Sequence, residues 1–301
     1  MQTIEQLNQQ FAIDKHARFE AGQGGMTRLV MSLPTGDAHV YLYGAHVTHY
    51  QPTGQPPVFF MGSKAFFQQG KAIRGGIPIC WPWFGPRTGD TSQMHGFVRT
   101  RMWDVAEVKR SGDAVRAVLK LASSEETRAI WPHDFELRFT VTLGSQLTTE
   151  LEVRNTSSGE FKFEEALHTY FNVADVKQIT IEGLVGSTYI DKVGPPPERK
   201  VDNENDLHLK GLTDRVYVNA PQTCTIEDPV LKRRIAIAKD NSDSTVVWNP
   251  WLDRIGTFAD LSLEDWHKFV CVESCNAKDN AVTLSAGQTH VMRVRFRSEA
   301  M

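Results

Sequence analysis

The sequence predicts an all-β fold, a large antiparallel β-sandwich with few short helices. Three observations lead there. Apolar residues recur at every second position rather than every third or fourth. The alternating runs are short, and each is bounded by Gly, Asn, Ser, Asp or Pro. Helical signals are confined to three brief stretches. Alternation of this kind marks strands with one buried face, and many such strands between turn residues make a sandwich or a barrel.

Taken in order, IEQLNQQFAI near the N-terminus has the spacing of a short helix. Asp37–Gln51 (DAHVYLYGAHVTHYQ) reads as strand, interrupted at Gly44. Ala114–Leu121 alternates, and Ser124–Pro132 (SEETRAIWP) begins like a capped helical turn. Phe135–Leu143 places Phe135, Leu137, Phe139, Val141 and Leu143 on one face. Leu147–Val153 and Val291–Phe296 alternate in the same way. Ser262–Phe269 (SLEDWHKF) predicts a third helix, with Ser262 as N-cap and Asp265 three residues on. Asp191–Asp206 is the one long polar loop. Strand-like segments continue on both sides of it without a change of composition, and no internal repeat is visible. The chain therefore reads as one domain over residues 1–301.

With 301 residues, 41% of them hydrophobic, the chain can bury a substantial core. The net charge of -3 and the absence of long Lys/Arg runs exclude the footprint of a nucleic-acid or anionic-membrane binder. The first residues, Met1–Asp14, are polar and Gln-rich and carry no apolar signal-peptide core. No stretch approaches the ~20 apolar residues that a membrane span requires. The four cysteines, Cys80, Cys224, Cys271 and Cys275, form no C-x-x-C pair. They are expected to be buried free thiols, with a disulfide or a metal site as the alternative, and this points to a reducing, cytoplasmic setting.

Four segments place polar groups among residues that read as buried. Ala72–Pro86 (AIRGGIPICWPWFGP) is too rich in Gly and Pro for regular structure, and predicts a rigid loop. Its Arg74, beside Gly75 and Gly76, offers a planar fork of donors to a phosphate or carboxylate, or simply pairs with a neighbouring acid. Met94–Arg99 (MHGFVR) supplies Arg99 as a second anion ligand and His95 as a donor to a sugar hydroxyl or a satisfied loop histidine. In Phe161–Val173 (FKFEEALHTYFNV), His168 sits in an aromatic run that could simply be core. A stripe of Glu164, His168, Tyr170 and Asn172 suggests a wet concave face instead. In Phe269–Asn276 (FVCVESCN), Phe269, Cys271, Glu273 and Cys275 share one face and Val270 and Val272 the other. A carboxylate in a strand apolar on both sides is costly unless it is paired, and burial raises its pKa toward that of a general base.

Asp214 precedes Arg215 and a short strand, and locally reads as a turn-capping residue. Trp248–Trp251 (WNPW) offers a stacking wall or a packed turn. His39, His46 and His49 have no metal-ligand spacing and are assigned structural roles, and no nucleotide loop occurs. No cofactor and no metal are expected.

Together the strings AIRGGIPICWPWFGP, HGFVR, WPHDFELRFTV, ALHTYFNV, TDRVYVN, VVWNP and FVCVES resemble the aldose 1-epimerase superfamily, and within it the glucose-6-phosphate 1-epimerase branch. They occur in the family's order from about residue 30 to the C-terminus. The resemblance implies a galactose mutarotase-like supersandwich with a concave sugar-binding face. It implies His168 as general acid, Glu273 as general base, Arg74 and Arg99 at the phosphate, and His95 and Asp214 at sugar hydroxyls or the ring oxygen. The implied partner is a hexose 6-phosphate, with the protein a monomer or weak homo-oligomer. Where some relatives have Gln before the HGF triplet this chain has Met94, with Gln93 one place earlier. Two other readings stay open: a non-catalytic sugar-phosphate binding protein on the same scaffold, and a glycoside hydrolase using Asp214 as a second acid.

Overall fold

The computed structural model describes residues 2–87 and 89–301. Among the described residues the alternating runs form antiparallel sheets of four, eight and nine strands, plus two small ribbons. The nine-stranded sheet runs, edge to edge, Asp206–Leu207, Thr180–Glu182, Thr223–Asp228, Arg233–Asp240, Thr289–Ala300, Leu147–Asn155, Phe135–Leu143, Ala114–Ala122 and Asp104–Ser111. Its registers follow the period-two pattern: Phe135 faces Asn155 and Leu143 faces Leu147 across one hairpin.

The eight-stranded sheet carries the site. Its main path is Glu198–Val201, Thr188–Asp191, Thr213–Val218, Ser244–Asn249, Phe269–Asn276, Glu165–Leu167 and Ile79–Cys80, with Tyr170–Asn172 also paired to Phe269–Asn276. The core lies between the two large sheets. Phe135, Leu137, Phe139, Val141 and Leu143 join one cluster with Val247, Val270, Val272 and Phe171. Burial of this area is the main stabilising term, at roughly 25 cal/mol for each Å² of apolar surface. On the opposite face of the eight-stranded sheet, Phe269 and Cys271 pack with Phe60, Tyr170, Ile255 and Leu261. The Phe269–Asn276 strand is therefore buried at all eight positions, as its pattern predicted.

The Asp37–Gln51 run is a hairpin of Gly36–Tyr41 and His46–Pro52. Gly44 turns it at φ +74, with the Arg99 carbonyl only 2.6 Å from where a Cβ would stand. Two of the three expected helices form. Thr3 caps Ile4–Phe11 and Ser124 caps Glu125–Ile130. The third, Ser262–Phe269, does not. The Asp265 carboxylate accepts from the Ser262 backbone N–H at 2.9 Å, but also from the N–H and hydroxyl of Ser63 at 3.1 and 2.9 Å. It ties two loops together instead of starting a helix. A helical turn forms earlier, at Trp251–Arg254.

The polar stretch Asp191–Asp206 also differs from expectation. Glu198–Val201 folds back as a strand on Thr188–Asp191. All four of its residues are exposed, so it has no apolar face for a pattern to reveal. The four cysteines are free and buried. No helix among the described residues is long and apolar enough to cross a membrane.

Candidate active site

A cavity of about 310 Å³ opens on the site face of the eight-stranded sheet, lined among others by Arg74, His95, His168, Asp214 and Glu273. Five of the six residues singled out in the sequence thus reach one space. Glu273 projects into it from the middle of the Phe269–Asn276 strand, only 1% exposed. His168 sits where the Glu165–Leu167 strand breaks before Tyr170–Asn172 resumes. The Thr169 N–H closes on the Leu167 carbonyl at 2.8 Å, and this kink turns His168 out of the ladder toward the cavity. Tyr170 stacks on the His168 ring at 4.9 Å, and the Trp248 ring meets its edge at 6.0 Å.

His168 Nδ1 stands 3.4 Å from Glu273 Oε1. Among the described residues neither His168 Nδ1 nor Glu273 Oε2 has a hydrogen-bond partner, although both are buried. Burial, reinforced by Asp214, pushes the Glu273 carboxyl well above the usual carboxylate range. Burial, with the charges of Arg99 and Arg74, holds His168 well below the usual imidazole range. The pair thus favours holding one proton between two groups that can each give or take it.

His95 is the third titratable group. It adopts φ +64 next to Gly96, whose place in the chain admits only glycine, since a Cβ there would lie 1.7 Å from the Trp81 carbonyl. The Gly85 N–H donates to His95 Nδ1 at 3.2 Å. That contact assigns the neutral tautomer with its proton on Nε2, a donor for a ligand. Burial and the Arg99 charge keep this ring neutral.

The Arg74 Nε donates to Asp260 at 3.0 Å and its Nη1 to the Tyr170 hydroxyl at 2.9 Å. The guanidinium also lies over the Phe258 ring at 5.0 Å. These contacts hold Arg74 charged and fixed at one end of the cavity. The glycines beside it admit backbone, not ligand: the positions of Cβ atoms on Gly75 and Gly76 fall 2.5 Å from the Phe60 carbonyl and 2.2 Å from the Val47 carbonyl. Arg99 is the outlier. It lines a neighbouring cavity of about 470 Å³ with Lys71 and Arg101, and donates to the Met94 carbonyl at 2.7 Å. Met94 lines both cavities and stands between them.

Asp214 is paired rather than free, its two oxygens accepting from Lys192 Nζ at 3.1 and 3.2 Å. The expected polar stripe does not form. Glu164 accepts from the backbone N–H groups of Phe84 and Lys278, Tyr170 serves Arg74, and Asn172 donates to the Pro57 carbonyl. The kink at His168 breaks the strand spacing on which the stripe depended. Of the WNPW segment, Trp248 lines the cavity, whereas Trp251 packs on Trp266 at 4.7 Å. His46 bonds the Gly75 carbonyl at 2.7 Å, and His39 and His49 stack at 4.6 Å.

Sequence reasoning missed Lys192, Arg254 and Phe84 as lining residues. Lys192 is the second residue of the stretch read as a plain loop, and Arg254 lies in WLDRIG, where nothing marks it out.

An antiparallel supersandwich with a buried Glu/His pair at the floor of a polar cavity defines a class of sugar-ring enzymes. The chain belongs to the aldose 1-epimerase family, whose family model matches residues 29–297. An Escherichia coli K12 protein with the provisional name glucose-6-phosphate 1-epimerase is 36% identical over 264 residues, 87% of each chain. A Cenchrus ciliaris protein with the same provisional name is 35% identical over 260 residues, 83% of this chain and 78% of that one. The crystal structure of a provisionally assigned mutarotase, YeaD of Salmonella typhimurium, superposes with a TM-score of 0.89 at 30% identity, covering 97% of this chain and 96% of that one. A galactose mutarotase-like protein of Clostridium acetobutylicum, at 15% identity and a TM-score of 0.77 over 95% of this chain and 98% of that one, shares the fold.

Proposed function

We propose that this protein is a hexose-6-phosphate mutarotase, interconverting the α and β anomers of glucose 6-phosphate and related sugars. The observation that carries the reading is the His168–Glu273 pair: 3.4 Å apart, deeply buried, each with an unpartnered atom, at the floor of a hexose-sized cavity. A buried polar atom without a partner is destabilising, and its persistence at a cavity wall fits a group reserved for substrate.

In this mechanism Glu273 takes the proton of the C1 hydroxyl while His168 gives one to the ring oxygen. The C1–O5 bond breaks as the C1 carbonyl forms. The aldehyde turns about C1–C2 and recloses, with Glu273 returning the proton and His168 taking its own back. The pair needs one proton in total, and the reclosing step uses the roles in reverse. The opposed effects of burial on the two groups keep the pair singly protonated over a wide pH range, with the proton resting on Glu273. Its passage across 3.4 Å to His168 therefore precedes ring opening and sets up the carboxylate base and the imidazolium acid. His95 donates from Nε2 to a hydroxyl or the ring oxygen, and Asp214, held by Lys192, accepts from another hydroxyl. Trp248 offers the sugar an apolar wall. Arg74 takes the phosphate, with Arg99 closing on it past Met94. That remote binding energy holds the reacting carbon in place.

The reading favours catalysis over simple sugar-phosphate binding because binding alone has no use for a buried Glu/His pair left open. It disfavours glycoside hydrolysis because Asp214 is engaged by Lys192. The four buried free thiols support a cytoplasmic setting, and we take the protein as a single-domain monomer or weak homo-oligomer. The test is NMR exchange between the anomers of glucose 6-phosphate, with free glucose as comparison, for wild type, Glu273→Gln and His168→Asn. Exchange at the wild-type rate in both variants, or equal handling of free glucose, overturns the proposal.

A further inference from the structure

Cys271 and Glu273 come from one strand and His168 from the break between two others, yet an imidazole nitrogen, a carboxylate oxygen and the Sγ atom all lie within 4.8 Å of one another, and all three residues are buried. We infer that this trio is an inhibitory site for a thiophilic divalent cation such as Zn²⁺ or Cd²⁺, which competes with the sugar.

The geometry points to the metal class. In a tetrahedral zinc site with N and O ligands at about 2.0–2.1 Å, those two atoms stand about 3.3 Å apart. His168 Nδ1 and Glu273 Oε1 are 3.4 Å apart. The thiol completes a third position after an approach of about 1 Å, for a Zn–S bond near 2.3 Å. The cavity beside His168 and Glu273 leaves the fourth position to water. Two of the donor residues already lack partners for one atom each, His168 Nδ1 and Glu273 Oε2, so a cation displaces no existing bond there. One imidazole, one thiolate and one carboxylate select Zn²⁺ or Cd²⁺ over Mg²⁺ and Ca²⁺, which prefer all-oxygen sites.

The balance is plain. Cys271 enters as a thiol, burial keeping it protonated. The cation replaces its proton and that of Glu273, and both leave to solvent. The product carries a thiolate, a carboxylate and a neutral imidazole around one dication, so the buried site stays uncharged. Metal uptake therefore strengthens as pH rises. It also occupies the lone pairs of both groups proposed to move protons, so inhibition follows from occupancy alone. The spacing of the ligands along the chain hid this. Cys271 and Glu273 are two apart on one strand, and His168 is more than a hundred residues earlier.

The experiment titrates the full-length protein with Cd²⁺ and follows the ultraviolet thiolate-to-cadmium charge-transfer band, with no substrate present. One equivalent per chain should saturate the band. Cys271→Ser and Cys271→Ala should abolish it, and Cys224→Ser should keep it. His168→Asn, which retains every cysteine, should weaken binding at least about tenfold, since even the partners of a metal ligand cost that much. Zn²⁺ should then inhibit anomer exchange competitively with glucose 6-phosphate, and Mg²⁺ at the same concentration should not. A band that survives in both Cys271 variants, or that His168→Asn leaves unchanged, overturns the inference, as does the absence of any band. Because the band is read without substrate, a wild type that binds Cd²⁺ yet shows no anomer exchange would overturn the proposed activity and leave this site standing.

Discussion

Two buried glutamates on neighbouring strands of the same sheet meet histidines, and they do opposite things. Glu165 on Glu165–Leu167 is fully buried, with Oε1 2.8 Å from His290 Nε2 and accepting from Asn276 Nδ2 at 2.8 Å. Glu273 on Phe269–Asn276 is as deeply buried but stands 3.4 Å from His168. Among the described residues the Oε2 of each glutamate lacks a partner, and only Glu273 combines the longer contact with a cavity wall. The electrostatic consequences diverge. Burial opposes charge on His290, but Glu165 outweighs it and its pKa rises, whereas His168 is driven down and Glu273 up. A closed pair stabilises the fold, and an open pair keeps proton affinity available for a ligand. Burial alone does not distinguish them; the length of the contact and the cavity beside it do.

The largest expected effect breaks the open pair. Glu273→Gln and His168→Asn should each slow anomer exchange by roughly 10²–10⁴-fold, the usual contribution of a positioned acid or base. Both should still fold, as judged by circular dichroism and a cooperative urea transition. The closed pair predicts the reverse. Glu165→Ala strips Asn276 and His290 of a partner and should lose about 3–5 kcal/mol of stability in urea denaturation. Exchange per folded molecule should stay close to wild type. If Glu165→Ala instead abolishes exchange while remaining stable, the two pairs have been assigned the wrong way round.

A smaller effect tests the cost of leaving Glu273 open. Its carboxyl is harder to ionise in the folded chain than in the unfolded one. Stability is therefore untouched below the unfolded carboxyl value of about 4.3 and falls as pH rises toward the raised folded value. Glu273→Gln removes that loss. Its denaturation midpoint should match wild type near the unfolded value and exceed it increasingly toward neutral pH, by about 1 kcal/mol or more. A constant difference across pH would mean that Glu273 is not the group being titrated.

What the sequence made legible follows from the same physics. Phe135–Leu143 and Phe269–Asn276 were readable because alternation is enforced wherever one sheet face is buried and the other differs. Glu273 stood out because a charged residue broke an apolar strand on both faces. Glu165 did not, since it shares the acidic dipeptide with Glu164 and its partner His290 is distant in sequence. Glu198–Val201 was invisible because an edge strand exposed at every position imposes no pattern. The Ser262 helix signal misled because Asp265 had a competing partner in Ser63, which local spacing cannot register. Lys192 and Arg254 reach the cavity through the path of their loops, and no residue pattern encodes that path.

The last comparison is between the two arginines at the anion end, and it carries the finest expected difference. Arg74 is fixed by Asp260, Tyr170 and the face of Phe258 inside the cavity that holds His168 and Glu273. Arg99 points into the adjoining cavity and is held by the Met94 carbonyl. A preorganised guanidinium loses little freedom on binding a phosphate, whereas one that must first leave a carbonyl gives back part of what it gains. Loss of a charged hydrogen bond is worth about 1.5–3 kcal/mol, so Arg74→Ala should raise KM for glucose 6-phosphate roughly 10–100-fold. Arg99→Ala should raise it by less, about tenfold or under. Neither touches the reacting carbon, so each should change the slow exchange of free glucose far less than that of glucose 6-phosphate, what change there is coming from the lost charge beside His168. Met94→Gln sharpens the point: a polar side chain between the two cavities should bring Arg99 closer in effect to Arg74. If Arg99→Ala proves the more damaging, the phosphate sits on the Arg99 side of Met94, and the sugar must enter with its phosphate reaching into the neighbouring cavity.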